Sequence, residues 1–235
     1  MKATLMLAAT LVAFTTGARA AEVYDSYDVF YAAQPGAVFG DPIKYDAGSA
    51  FSYPGESGLH SERRATPGGS AVRIDVAPDR ITVNDTTYRF ARAVAFQGEY
   101  ASDIHPASAE VFIAPQVKAR PAVLCVEGGS NGSGESDRHR QIYLLVNPLA
   151  SKGKATFLHL PSLLSSCRAV LATKDGGLVF PKNSYLFDDA QETRVGLLMS
   201  YYTFENQRFV PALNEIRLRF TRPEIPFQFS VVEKD

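Results

Sequence analysis

Two apolar runs, Val123–Val126 and Ile142–Val146, enclose a segment that could do chemistry: Glu127-Gly128-Gly129-Ser130-Asn131-Gly132-Ser133-Gly134-Glu135-Ser136-Asp137-Arg138-His139-Arg140. Carboxylates, hydroxyls, guanidinium groups and one imidazole gather there. The flanking runs read as buried strands, so the segment reads as a long hairpin loop on a rigid pair. Such loops are common recognition elements, because the scaffold holds them while their tips stay adaptable. The expected contact set is Glu127, Asn131, Ser133, Glu135, Asp137, Arg138, His139 and Arg140.

A catalytic reading uses the same residues. His139 would be a general base, oriented by Asp137 or Glu135, with Ser133 or Ser136 as nucleophile. That chemistry needs fixed hydrogen-bond geometry. Neighbours in a Gly-rich loop are poorly placed for it, and no Gly-x-Ser-x-Gly elbow occurs. A calcium loop would draw on Asn131, Glu135 and Asp137, but the alternating acid spacing of an EF-hand is missing. A phosphate loop lacks its Gly-Lys-[Ser/Thr] signature. No catalytic residue, metal site or cofactor is therefore assigned, and the sequence leans away from an enzyme.

The remaining histidines are scattered. His60 lies beside Glu62, Arg63 and Arg64, and His105 precedes Pro106. His159, within Phe157-Leu158-His159-Leu160, reads as a structural imidazole with its hydrogen bonds satisfied. Asp188, Asp189 and Glu192 read as an acidic turn with a capping role. The clusters Tyr24, Tyr27, Phe30, Tyr31 and Tyr201-Tyr202-Thr203-Phe204 read mainly as core.

These residues need a scaffold and a compartment. Met1-Lys2, the apolar run Leu5–Phe14 and Ala18-Arg19-Ala20 make a secretory signal peptide, residues 1–20, cleaved after Ala20. The run is too short to span a bilayer, which takes roughly 20 residues. No later stretch reaches that length, so no membrane span is expected in the mature chain. The protein is expected in the periplasm or secreted. Cys125 and Cys167, the two cysteines of the chain, suit a disulfide in an oxidising compartment. The apolar surroundings of Cys125 would raise a thiol pKa rather than activate it. Losing Lys2 and Arg19 takes the net charge from -1 to -3. Such a chain offers no electrostatic footprint for nucleic acid.

The body reads as all-β. Val72–Val76, Ile81–Val83 and Thr86–Phe90 alternate between turn residues. Asp175-Gly176 separates two apolar runs, a strong hairpin signal because glycine accepts the positive φ of the turn. Val195–Phe204 and Gln207–Val210 flank Glu205-Asn206 as another hairpin. Ile216, Leu218 and Phe220 face one way, Glu215, Arg217 and Arg219 the other. Helix signals are scarce; Pro161–Ser166 could form one turn. The expectation is an antiparallel β-sandwich or barrel-like fold with few short helical turns and one disulfide. A membrane-spanning barrel is rejected, because the strands are irregular in length and broken by prolines. Residues 21–235 are expected as one all-β domain, with a possible seam at 114–122 dividing two β subdomains. Residues 46–70, rich in Gly, Ser and Pro, read as a long mobile loop.

Asn131-Gly132-Ser133-Gly134 resembles the Ser/Gly loops of periplasmic lysozyme inhibitors over those few residues alone. It implies an inhibitor- or immunity-like role for a non-enzymatic protein that binds a protein partner in the cell envelope. The alternative expectation is a small envelope hydrolase using His139 with a carboxylate such as Glu127 or Asp137. A third, without a motif behind it, is a structural subunit of an envelope assembly.

Overall fold

The computed structural model describes residues 22–44, 58–129, 138–150 and 154–232. The expected signal peptide lies outside them. Among the described residues, fifteen strands run in chain order: β1 Val23–Tyr24, β2 Ser61–Ala65, β3 Val72–Ala77, β4 Arg80–Val83, β5 Thr86–Arg89, β6 Val94–Ala95, β7 Glu110–Ala114, β8 Val123–Gly128, β9 Gln141–Val146, β10 Thr156–His159, β11 Leu171–Ala172, β12 Leu178–Phe187, β13 Arg194–Glu205, β14 Arg208–Arg222 and β15 Ile225–Val232. They form three open sheets, in the orders β2-β3-β4-β5, β6-β10-β9-β8-β7 and β1-β15-β14-β13-β12-β11. The pairing is antiparallel except between β6 and β10. The all-β expectation holds, as a stack of sheets.

The five-stranded sheet is the middle layer. Leu124, Val126, Tyr143, Leu145 and Phe157 pack on Val72, Ile74, Val76, Ile81 and Val83 of the four-stranded sheet. From the opposite face, Val123, Cys125, Ile142, Leu144 and Leu158 pack on Phe180, Tyr202 and Phe209 of the six-stranded sheet. Burial on both faces explains why β8 and β9 are continuous apolar runs rather than alternating ones. Each large side chain so buried contributes roughly 1.5–3 kcal/mol of transfer free energy. A third cluster joins Leu197, Met199, Leu218, Phe220 and Phe229 to Phe30 and Tyr31 of one helix, α1, Tyr27–Ala32.

Three local expectations are corrected. The loop expected through residue 70 gives way to β2, which pairs with β3 from Ser61↔Val76 to Ala65↔Val72. Its buried positions are Ser61 and Arg63, so the alternation is real but not apolar, and a hydrophobicity pattern misses it. The turn expected at Pro161–Ser166 is not helical; the short 3-10 turn is Cys167–Ala169. The hairpin between β13 and β14 turns at Asn206-Gln207, one residue later than expected. Both residues have positive φ, 50° and 62°, as a type I′ turn requires. Residues 115–122 connect the paired strands β7 and β8, with a bridge between Val117 and Arg120.

Candidate functional site

Glu127 is the penultimate residue of β8, not part of the loop, and is 1% exposed. Gly128 pairs with Gln141 and closes the strand pair. Asn131, Ser133, Glu135 and Asp137 lie outside the described residues, as does Ser136. Arg138, His139 and Arg140 form the returning limb. The structure therefore places the two roots of the loop.

Both roots are tied to one irregular segment, Leu160–Cys167. Cys125 and Cys167 form the expected disulfide, with Cα atoms 5.8 Å apart. Two residues beyond Cys125, on the same side of β8, Glu127 Oε2 accepts a hydrogen bond from the Cys167 backbone N–H. Glu127 Oε1 accepts from Arg140 Nη1 at 2.7 Å. The Leu164 N–H donates to the Arg138 carbonyl at 2.6 Å. His139 pairs with Leu163 as an isolated bridge, and its Nδ1 lies 3.0 Å from Ser162 Oγ.

The segment is itself held from behind. Asn183 Nδ2 donates to the carbonyls of Leu163 and Leu164 at 2.8 and 3.0 Å. Tyr31 Oη donates to the Leu164 carbonyl at 2.8 Å. Leu164 sits at φ 47°, a left-handed conformation that a leucine adopts only when its surroundings impose it. Ser162 N–H donates to Glu99 Oε1 at 3.3 Å.

The electrostatics centre on Glu127. Burial pushes its carboxyl up to about 7, against the lowering effect of the Cys167 N–H and the Arg140 guanidinium. Arg140 also lies 4.0 Å from Asp28 and 3.9 Å from Glu110. Burial works against its charge, but Glu127, Asp28 and Glu110 together hold its pKa above the ordinary arginine value.

Among the described residues, His139 Nδ1 faces a serine, and Asp137, one of the two carboxylates expected beside it, lies outside them. Both Glu127 oxygens are occupied by Cys167 and Arg140, so Glu127 does not orient His139. Ser162 is 6% exposed. The Ser162 N–H, a donor that an acyl-transfer site would keep for its oxyanion, is given to Glu99.

The other histidines resolve separately. His60 is buried and its Nδ1 lies 3.0 Å from Asp75 Oδ2. The His105 N–H donates to the Gly129 carbonyl at 3.2 Å. His159 departs from expectation. It is fully buried, but neither ring nitrogen has a hydrogen-bond partner among the described residues. Its ring stacks on Tyr143 at 4.7 Å, and burial lowers its pKa to about 4. The acidic turn caps as expected: Asp188 Oδ1 accepts from the N–H groups of Glu192 and Thr193.

Ser162, Glu99, Asp28 and Glu110 escaped the sequence reading. They reach the loop roots from four separate places in the chain. One signal was available: a Cys125–Cys167 disulfide requires the segment ending at Cys167 to lie against β8. Among the described residues, no group of three or more His, Cys, Asp or Glu is arranged to hold a metal ion. No helix among them is long and apolar enough to cross a membrane. Comparison with family models, curated proteins and solved structures finds no match to the chain.

Proposed function

We propose that this is an exported, non-enzymatic binding protein, working in the periplasm or outside the cell. It takes hold of a protein partner in the envelope through the loop between β8 and β9. The observation that carries the reading is the double anchoring of the loop roots. Glu127 ties β8 to Cys167 and to Arg140, next to the disulfide. A recognition loop gains affinity when its base is fixed before binding, because less ordering entropy remains to be lost. An inhibitor- or immunity-like role fits this arrangement.

The test replaces residues 130–137 with a two-residue turn. Circular dichroism and thermal unfolding should match the parent. A partner recovered by the parent from envelope extract should be lost by the variant. If both recover the same partner, the loop is not the contact.

The Ser162–His139 pair favours a second reading, a small envelope hydrolase. Ser162→Ala and His139→Ala would each have to abolish turnover of an ester substrate. Turnover retained in both removes that reading.

A further inference from the structure

At the end of β8 and β9 opposite the loop, the middle sheet and the six-stranded sheet part around an open pocket of about 230 Å³. The middle sheet supplies one wall. Leu144 and Val146 of β9 lie directly opposite Leu158 and Thr156 of β10, on the face turned to the six-stranded sheet. The other wall is Leu178 and Phe180 of β12 with Phe204 of β13. The six apolar residues belong to one core cluster or pack against it. Thr203 and Glu205 alternate to the other face of β13 and border the pocket along the strand edge, so no charge is set into either wall.

Protein interiors are close-packed, so a gap between two core faces needs a cause. Here two braced turns stand at the mouth. Gly176, at φ 89°, lies so close to the 119–120 backbone that a Cβ would stand 2.7 Å from it. Its own turn is closed by the Gly176 N–H on the Thr173 carbonyl at 3.0 Å and the Thr173 N–H on the Gly177 carbonyl at 2.9 Å. The facing turn is closed by Val117 and Arg120, whose N–H groups each donate to the other's carbonyl, at 3.1 and 2.9 Å. Inside, Phe209 packs against both aromatic rings of the wall, 5.7 Å from Phe180 and 5.0 Å from Phe204. The pocket is therefore built before anything enters it.

Its chemistry selects the occupant. A water held in such a space needs about two to four polar partners. The walls offer one side-chain hydroxyl, that of Thr156, half-buried and without a side-chain hydrogen bond among the described residues. An apolar cavity of roughly 150 Å³ takes up benzene, so this one has room for a ring with a short substituent. A flat ring would gain stacked or edge contacts with Phe180 and Phe204. An ionised group would enter without a counter-charge, at a large desolvation cost.

We propose that this pocket binds a small uncharged aromatic alcohol, its ring between the phenylalanine wall and the Leu144–Leu158 wall and its hydroxyl on Thr156. The site lies away from the β8–β9 loop, and its occupancy does not depend on the function proposed for that loop.

4-Ethylphenol is the probe, titrated into the protein and followed by the methyl resonances. Ethylbenzene, which lacks the hydroxyl, and 4-ethylbenzoate, which is charged, are titrated beside it. With 4-ethylphenol the methyls of Leu144, Val146 and Leu158 should shift saturably. Those of Val72 and Ile74, in the four-stranded sheet, should stay in place. Ethylbenzene should bind about fivefold more weakly, as expected for one lost uncharged hydrogen bond. 4-Ethylbenzoate should bind at least about tenfold more weakly. Thr156→Val keeps the shape of the wall and should bind 4-ethylphenol as weakly as the parent binds ethylbenzene. Val146→Phe should fill the pocket and abolish binding, with circular dichroism checking that the fold is kept. The proposal is overturned if 4-ethylphenol gives no saturable shift, moves the Val72 and Ile74 methyls equally, or binds Val146→Phe as it binds the parent. Equal affinity for ethylbenzene, or unchanged affinity in Thr156→Val, overturns the alcohol. Equal affinity for 4-ethylbenzoate overturns the uncharged class.

Discussion

Glu127 and Arg140 join the two ends of the β8–β9 loop through a 2.7 Å hydrogen bond made by a carboxylate that is 1% exposed. Burial of a charge is costly unless it is paired and hydrogen-bonded. Here the pairing is partial. Arg140 is shared with Asp28 and Glu110 at the surface, and Glu127 also depends on the Cys167 N–H. The two roots of the loop thus meet at a buried acid group whose pKa burial pushes up to about 7.

The pH dependence follows with a definite sign. Glu127 is raised from 4.5 to about 7 by burial, so between those values the folded state binds more protons than the unfolded state. Its contribution to stability is full below pH 4.5 and is lost as pH rises to about 7. Glu127→Gln keeps an acceptor for the Cys167 N–H and removes the titration. Compared with the parent, the variant should gain stability between pH 5 and pH 8, by up to roughly 3 kcal/mol. Denaturant unfolding at both pH values measures the change. A constant difference would mean that the buried carboxyl titrates normally.

The disulfide gives a second prediction. It closes a sequence separation of 42 residues, for which the chain-entropy model gives roughly 4 kcal/mol. Both sulfurs are buried among Ile142, Leu144 and Leu160. The double replacement Cys125→Ala, Cys167→Ala should lower Tm by about 10 °C, since one kcal/mol is worth about 2–4 °C in a chain of this size. It should also loosen the backbone contact of position 167 with Glu127, so hydrogen exchange at the position-167 amide should accelerate more than at β3. Equal acceleration would show that the bridge only shifts global stability.

Most of the scaffold was legible in the sequence, and most of the site was not. The hairpins around Ala77–Arg80, Asn84-Asp85 and Asp175-Gly176 announce themselves because strand alternation and turn chemistry are local. α1 was readable too: Ser26 caps it, and Tyr27, Phe30 and Tyr31 recur at helical spacing. That helical turn and a half, though, is too short to sustain a helical period. β2 was hidden because Arg63, a charged residue, occupies a core position. The anchoring of the loop depends largely on residues far apart in sequence, such as His139 with Ser162, Ser162 with Glu99 and Tyr31 with Leu164. No local pattern encodes such pairs; they follow from sheet order.

Asn183 supplies a third prediction. It sits on β12, 5% exposed, and satisfies the carbonyls of Leu163 and Leu164. Asn183→Ala removes the Leu163 partner and leaves Leu164 with Tyr31. A buried unsatisfied carbonyl costs roughly 1–3 kcal/mol. Asn183→Asp should cost more, because a carboxylate would face two carbonyl oxygens. The measurable order of stability is parent, then Ala, then Asp. Asp equal to the parent would require a protonated side chain donating to one carbonyl, and the deficit would then appear only as pH rises.

His159 acts against Glu127 in the pH dependence of stability. Its pKa is lowered from 6.5 to about 4 by burial, so the folded state binds fewer protons than the unfolded state in that range. Stability from this residue is full above pH 6.5 and is lost as pH falls toward 4. Glu127 loses stability in the opposite direction across an overlapping window. From about pH 4.5 to 6.5 the two slopes offset each other, and the parent should show a nearly flat stability profile as far as these groups decide it. Single variants should uncover the slopes. His159→Phe preserves a ring against Tyr143 and removes two unpaired nitrogens, so its stability should fall as pH rises through the window, with Glu127 left uncompensated. Glu127→Gln should show the reverse, with stability falling as pH drops. The double variant should be flat again. Thermal unfolding of the four proteins between pH 4.5 and 7.5 tests this. Parallel profiles in all four would mean that neither buried group sets the pH dependence.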